Sequence, residues 1–163
     1  MRFDKLTLKA QDAVQSAQQV AERFKSSNVE PEHLLVALLE QSDGIARPLL
    51  EKVGAMPSLI LKQTTEELER QPKVEGASDY GSALGSRLKT ALDEAFRAAE
   101  EMKDEYVSTE HLLFGLVVDT HSFAGRTLRA NGVDRNALQR AIEEIRGGRR
   151  VTDQSPEEKY QAL

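Results

Sequence analysis

Glu32-His33 and Glu110-His111 are the places in this 163-residue chain where acid and base side chains stand together. Such a pairing invites three chemistries: a metal site, an acid–base couple, or a receptor for a cation. A metal site needs ligands at matching helical spacing. His33, His111 and His121 are the only histidines, and no His-Glu-x-x-His pair occurs. An acid–base couple of Glu110 with His111 fails on geometry, because neighbouring helix positions do not face each other. His33 and His111 are therefore expected to pack or to make a local hydrogen bond. Glu32 and Glu110 each fall in the first turn of a helix, where a carboxylate complements the helix dipole by about 0.3–1 kcal/mol. Beyond that role, two symmetry-related carboxylates can receive a cation or the backbone amides of a bound peptide. Asp104 and Glu105 add negative charge just ahead of the second motif, and Tyr106 stands beside them as an aromatic contact or a cover for the helix start.

Other chemistries lack their residues. Gly81-Ser82-Ala83-Leu84-Gly85-Ser86 is not followed by the Lys-Ser/Thr of a phosphate-binding loop. There is no Gly-x-Ser-x-Gly elbow. With no cysteine, thiol catalysis, disulfides and cysteine–zinc sites are excluded, and a reducing compartment fits. A net charge of −5 argues against a nucleic-acid binder. No apolar run approaches the length of a membrane span, and Met1-Arg2-Phe3-Asp4-Lys5 lacks the apolar core of a signal peptide. No catalytic residue and no metal ligand is expected, and the default setting is cytoplasmic.

The elements that hold these residues are repeated. Val29-Glu30-Pro31-Glu32-His33-Leu34-Leu35 returns 78 residues later as Val107-Ser108-Thr109-Glu110-His111-Leu112-Leu113. The same ungapped shift pairs Ala13, Ala17, Ala21, Glu22 and Lys25 with Ala91, Ala95, Ala99, Glu100 and Lys103. It also pairs Leu38, Ala46, Leu50, Gly54 and Glu66 with Leu116, Ala124, Leu128, Gly132 and Glu144. Two copies of one helical unit follow. In the first copy, Ala10, Ala13, Val14, Ala17, Ala21 and Phe24 recur at helical spacing, with Thr7 placed as the N-cap. Pro31 and Ser108 mark the start of a short second helix by different means. A third helix is expected from Gly44 to Val53, closed by Gly54, with its twin closed at Asn131-Gly132. A fourth is expected over Pro57–Arg70, with its twin over Asp134–Arg146. The chain is expected to be all-α: a pseudo-twofold tandem repeat of two four-helix units, eight helices in total. Repeat 1 covers about 1–70, a linker 71–81, and repeat 2 about 82–146. Residues 147–163 are expected to form a flexible linker: Val151–Glu158 reads as exposed, and Glu157–Leu163 as the first turns of a further helix in a longer protein.

Several motifs carry a family resemblance. Phe3-Asp4-Lys5-Leu6-Thr7, the paired Glu-His-Leu-Leu motifs and Pro72-Lys73-Val74-Glu75-Gly76 resemble the N-terminal domain of Clp-type AAA+ unfoldases. The linker and the stretch from Gly147 to Leu163 resemble the ClpB disaggregase branch more than ClpA or ClpC. The resemblance covers essentially the whole chain. It implies a substrate-recognition domain that binds exposed segments of unfolded or aggregated proteins and passes them to an AAA+ ring. It also implies a monomeric domain in a homohexameric parent that uses ATP and Mg and works with a DnaK-type chaperone system, without nucleic acid or membrane. Thr7, Asp104 and Glu110 are the polar residues it singles out. An apolar groove is expected beside them, with Leu92 and Tyr106 as contacts, although burial competes as the role of Leu92. Glu32 and Glu110 match the glutamates with which ClpC recognises phosphorylated arginine, whereas Glu30-Pro31 and Ser108-Thr109 depart from the Gly-Thr found there. Adaptor docking, as in ClpA and ClpC, is the alternative role.

Overall fold

A computed structural model describes residues 2–76, 79–81 and 83–161. The first unit holds α1 (Leu8–Arg23), α2 (Pro31–Glu40), α3 (Ala46–Val53) and α4 (Pro57–Arg70). The second holds α5 (Ser86–Glu101), α6 (Thr109–Val118), α7 (Phe123–Ala130) and α8 (Arg135–Arg146). The expected all-α repeat is what forms. α3 starts two residues later than expected, because Ile45 and not Gly44 takes the N-cap position.

Local chemistry explains most boundaries. Thr7 Oγ1 accepts the Ala10 N–H at 3.1 Å and opens α1. Asp134 does the same for α8 through the Ala137 N–H. Gly54 closes α3 at φ 100°, a left-handed conformation that glycine adopts without a Cβ penalty. The paired lysines of the repeat have a shared reason. Lys25 and Lys103 both turn left-handed, at φ 55° and 59°, so that the following N–H of Ser26 or Asp104 reaches back to Ala21 or Ala99.

The second helices form the centre. Every residue from Pro31 to Leu39 and from Thr109 to Val117 is buried, which explains why both are apolar on all faces. α1 lies on α2, α5 lies on α6, and α2 and α6 meet each other. α6 approaches α5 so closely that a Cβ on Gly115 would overlap the Ala91 carbonyl oxygen. The halves also exchange edges. β1 (Asn28–Val29) pairs in parallel with β2 (Ala83–Leu84), and Leu6 bridges to Val107 in the same sense. The lead-in to each copy thus hydrogen-bonds to the other copy's turn, which ties the two units into one body.

The stretch after Arg146 departs from expectation. Val151, Pro156, Glu157 and Tyr160 are buried, and α9 (Pro156–Gln161) lies against the body. Polar composition alone gave a solvated tail; here its few apolar side chains are all spent on the domain. Ala162 and Leu163 lie outside the described residues, as do Ala77 and Ser78 of the inter-repeat linker.

Candidate functional site

Two neighbouring features occupy the second copy: a buried polar network and an open groove. The network begins with His111. Its Nδ1 accepts the Ser108 backbone N–H at 2.9 Å, which leaves the proton on Nε2. Nε2 donates to Asp104 Oδ2 at 2.7 Å. The Arg146 guanidinium holds Asp104 Oδ2 and Glu110 Oε2, each at 2.9 Å. The Val151 N–H completes Asp104 by donating to Oδ1 at 2.9 Å. Burial pushes the Asp104 carboxyl up, but the bonds from His111 and Val151 and the charge of Arg146 outweigh it, leaving it below the ordinary aspartate range.

The first copy has the frame without the charges. His33 Nδ1 accepts the Glu30 N–H at 2.9 Å in the same manner. The positions of Asp104 and Arg146 are held there by Ser26 and Leu68. His33 Nε2 is accordingly buried with no partner among the described residues. Burial, with a smaller push from Lys73, brings this imidazole down to about 4, so it is neutral near pH 7.

Each expected site residue can now be placed. Glu110 receives a cation, as its type allows, but the cation is Arg146 of the same chain. Glu32 receives a backbone amide: its Oε2 accepts the Ala124 N–H at 3.0 Å and caps α7 across the pseudo-twofold. Burial is the main influence on Glu32 and raises its carboxyl. Thr7 is fully buried; besides capping α1, its hydroxyl donates to Glu157 Oε2 at 2.8 Å. The Asp104 carboxylate is fully buried. Leu92 is core, in line with its competing assignment. Tyr106 alone of the six keeps a partly exposed side chain beside open space. Glu110 and His111 face different partners and form no couple. Among the described residues, no cluster of three or more His, Cys, Asp or Glu is placed to hold a metal ion.

The groove runs along the outer face of α5 and holds about 780 Å³. Phe96 and Tyr106, both partly exposed, stand with Ala99 and Val107 on its apolar side. Arg2 and Lys5 border it as cations, and Asp93, Glu100 and Glu105 as anions. Its volume lies within the range of ligand-holding clefts. The first copy has no equivalent. Gln18 and Asn28 replace Phe96 and Tyr106, and the linker covers that face, with Gly81 so near that a Cβ would sit 2.8 Å from the Gln18 carbonyl oxygen.

Sequence reasoning missed Phe96, Arg146 and Glu157. The signal for the first two was a break in the repeat, where an aromatic replaces Gln18 and a cation replaces core Leu68. Glu157 has no twin in the repeat, and its partner Thr7 lies 150 residues away.

Comparisons with known proteins agree with this architecture. The profile of the family described as Clp repeat (R) N-terminal domain matches residues 5–131. The chaperone protein ClpB of Rhodopirellula baltica is 44% identical over 163 residues, covering 99% of this chain and 18% of that protein. ClpB of Mycobacterium tuberculosis is 41% identical over 157 residues, with 96% and 18% covered. The chain thus spans about a fifth of the length of these relatives. Among solved structures, the Hsp104 N-terminal domain of Candida albicans superimposes with a TM-score of 0.81 at 18% identity, covering 94% of this chain and 99% of that one. A ClpV N-domain solved with a VipB peptide gives 0.69 at 20% identity, with 86% of each chain covered.

Proposed function

Because the chain belongs to the Clp repeat N-terminal domain family, we propose that it captures exposed segments of unfolded or aggregated proteins in the α5 groove and passes them to an AAA+ ring. The observation that carries this reading is the pair of partly exposed aromatics, Phe96 and Tyr106, beside an open cleft. An extended client segment would lay apolar side chains on Phe96, Tyr106, Ala99 and Val107. Its basic side chains would meet Asp93, Glu100 and Glu105, and its acidic ones Arg2 and Lys5. Each ring further desolvated contributes on the order of 1 kcal/mol, against the entropy of ordering the segment. The balance is weak, reversible capture, suited to a carrier that must release its load. The ClpV N-domain with its VipB peptide supports peptide capture by this fold.

In this reading, ATP and Mg act in the ring of a longer, homohexameric cytoplasmic protein working with a DnaK-type chaperone system, and this domain is monomeric and holds no cofactor. A phosphoarginine site is less favoured. Glu32 is engaged by Ala124 and Glu110 by Arg146, so neither offers a solvent-facing carboxylate to a guanidinium ligand. An adaptor protein remains the alternative occupant of the groove. An NMR titration with a permanently unfolded protein tests the reading: the amides around Phe96, Tyr106 and Val107 are expected to shift. No shift there at saturating client, with the domain folded, would refute client capture. One stoichiometric folded partner would point to adaptor docking.

A further inference from the structure

The two copies solve one problem differently. In the first copy, the Glu30 carboxylate fills the niche between the start of α2 and the N-cap of α5. It caps the His33 N–H, and it lies so near Gly85 that a Cβ there would overlap it. In the second copy the matching residue is Ser108, too short to fill that space, and the N-cap of α1 is Thr7. The niche is filled from elsewhere. Glu157 Oε2 accepts the Thr7 hydroxyl at 2.8 Å, the Thr109 N–H at 3.0 Å and the Thr109 hydroxyl at 3.3 Å. A carboxylate 49 residues beyond Ser108 thus stands where the first copy uses its own.

Other contacts hold the same segment. The Leu8 N–H donates to the Gln154 carbonyl at 2.9 Å, and the Glu105 N–H to the Val151 carbonyl at 2.8 Å. Tyr160 is buried beside the Arg146 guanidinium, 6.0 Å from it. Two features make this attachment separable from the body. It is preceded by Gly147-Gly148, both left-handed at φ 58° and 87° and exposed. It also leaves Glu157 Oε1, Tyr160 Oη and Glu110 Oε1 buried without partners, a desolvation penalty that undocking relieves.

We propose that residues 151–161 are a detachable strap, pinned by Glu157 in the Thr7–Thr109 niche, that sets the direction in which the chain leaves the domain. The polar residues singled out by the family resemblance then share one task. Thr7 holds the pin, Asp104 holds the Val151 N–H, and Glu110 fixes Arg146 against Tyr160. They act as positioning residues for the strap and do not touch a client. This goes beyond client capture and does not depend on it, so the two fail separately.

The test is amide hydrogen exchange by NMR on the full chain without client. Leu8 and Glu105 report the strap, because their N–H groups bond to it. Thr7 and Val107 report the body, because theirs bond to Val107 and Lys5 carbonyls. In Glu157→Ala, and again in Tyr160→Ala, Leu8 and Glu105 are expected to exchange at least about ten times faster while Thr7 and Val107 hold their rates. Unchanged rates at Leu8 and Glu105 overturn the proposal. So does an equal acceleration at all four amides, which would make the segment an inseparable part of the body.

Discussion

Replacing Arg146 by leucine tests the buried network with the protein's own alternative, since Leu68 fills the matching core position of the first copy. Leucine fits the space, so the perturbation is electrostatic. Arg146 is nearly buried and sits 2.9 Å from both Asp104 and Glu110, whose side chains are fully buried. Its loss strands both carboxylates, with His111 and Val151 left to Asp104 and no other charge partner to Glu110. Removing one member of a buried pair costs about 3–5 kcal/mol. For a domain of this size each kcal/mol moves Tm by about 2–4 °C, so the melt should fall by about 6–20 °C. Urea unfolding followed by far-UV circular dichroism at pH 7 measures it, with Arg97→Leu as control. Arg97 is exposed and pairs only with Glu94 on its own helix, so the control should stay within about 0.5 kcal/mol of wild type. Adding Asp104→Ser, the first copy's residue, to Arg146→Leu should recover part of the loss by removing one stranded charge. A loss under about 1 kcal/mol in Arg146→Leu, or a further loss on adding Asp104→Ser, would refute the assignment of this network as a charge-balanced buried unit.

Further predictions follow from single positions. His33 is buried and its imidazole lowered to about 4, so between pH 6.5 and 4 the unfolded chain binds more protons than the folded one. Stability from this group is full above about pH 6.5 and is lost as pH falls toward 4, by a few kcal/mol. Urea midpoints measured across that window should flatten in His33→Gln, and an unaltered slope would contradict the burial account. Gly115→Ala forces a Cβ against the Ala91 carbonyl and should cost about 1–3 kcal/mol in thermal or urea unfolding. A neutral or stabilising result would show that α5 and α6 separate freely. Glu157→Gln keeps an acceptor for Thr7 and Thr109 while removing a charge whose carboxyl is raised by burial and by Glu110. Exchange at Leu8 and Glu105 should therefore stay slow in this variant, in contrast to Glu157→Ala.

What the sequence made legible was local. The helices announced themselves through 3.6-residue periodicity, and the caps at Thr7, Gly54 and Asp134 through residue types that satisfy backbone groups within one turn. The 78-residue echo then placed the halves. The polar network was half legible: Asp104, Glu110 and His111 stood out, yet their partner Arg146 lies 35 or more residues on and reads locally as an ordinary helix C-terminal cation. The tail was misread for the same reason. Val151, Glu157 and Tyr160 have no periodic neighbours, and their burial depends on a niche built by residues more than 40 positions away. Leu92 and Tyr106 show the limit on the groove. Both are apolar residues near α5, and only the packing decides that one is core and the other faces the cleft.

The central claim is that the second copy's groove, through its aromatics, is where clients are held. The direct measurement is fluorescence anisotropy of a labelled, permanently unfolded protein titrated with wild type and with the double variant Phe96→Gln/Tyr106→Asn, which installs the first copy's residues at both positions. With far-UV circular dichroism and melting unchanged, the account predicts affinity at least about ten times weaker in the double variant, equivalent to about 1.4 kcal/mol. Equal affinity of the two proteins would contradict it.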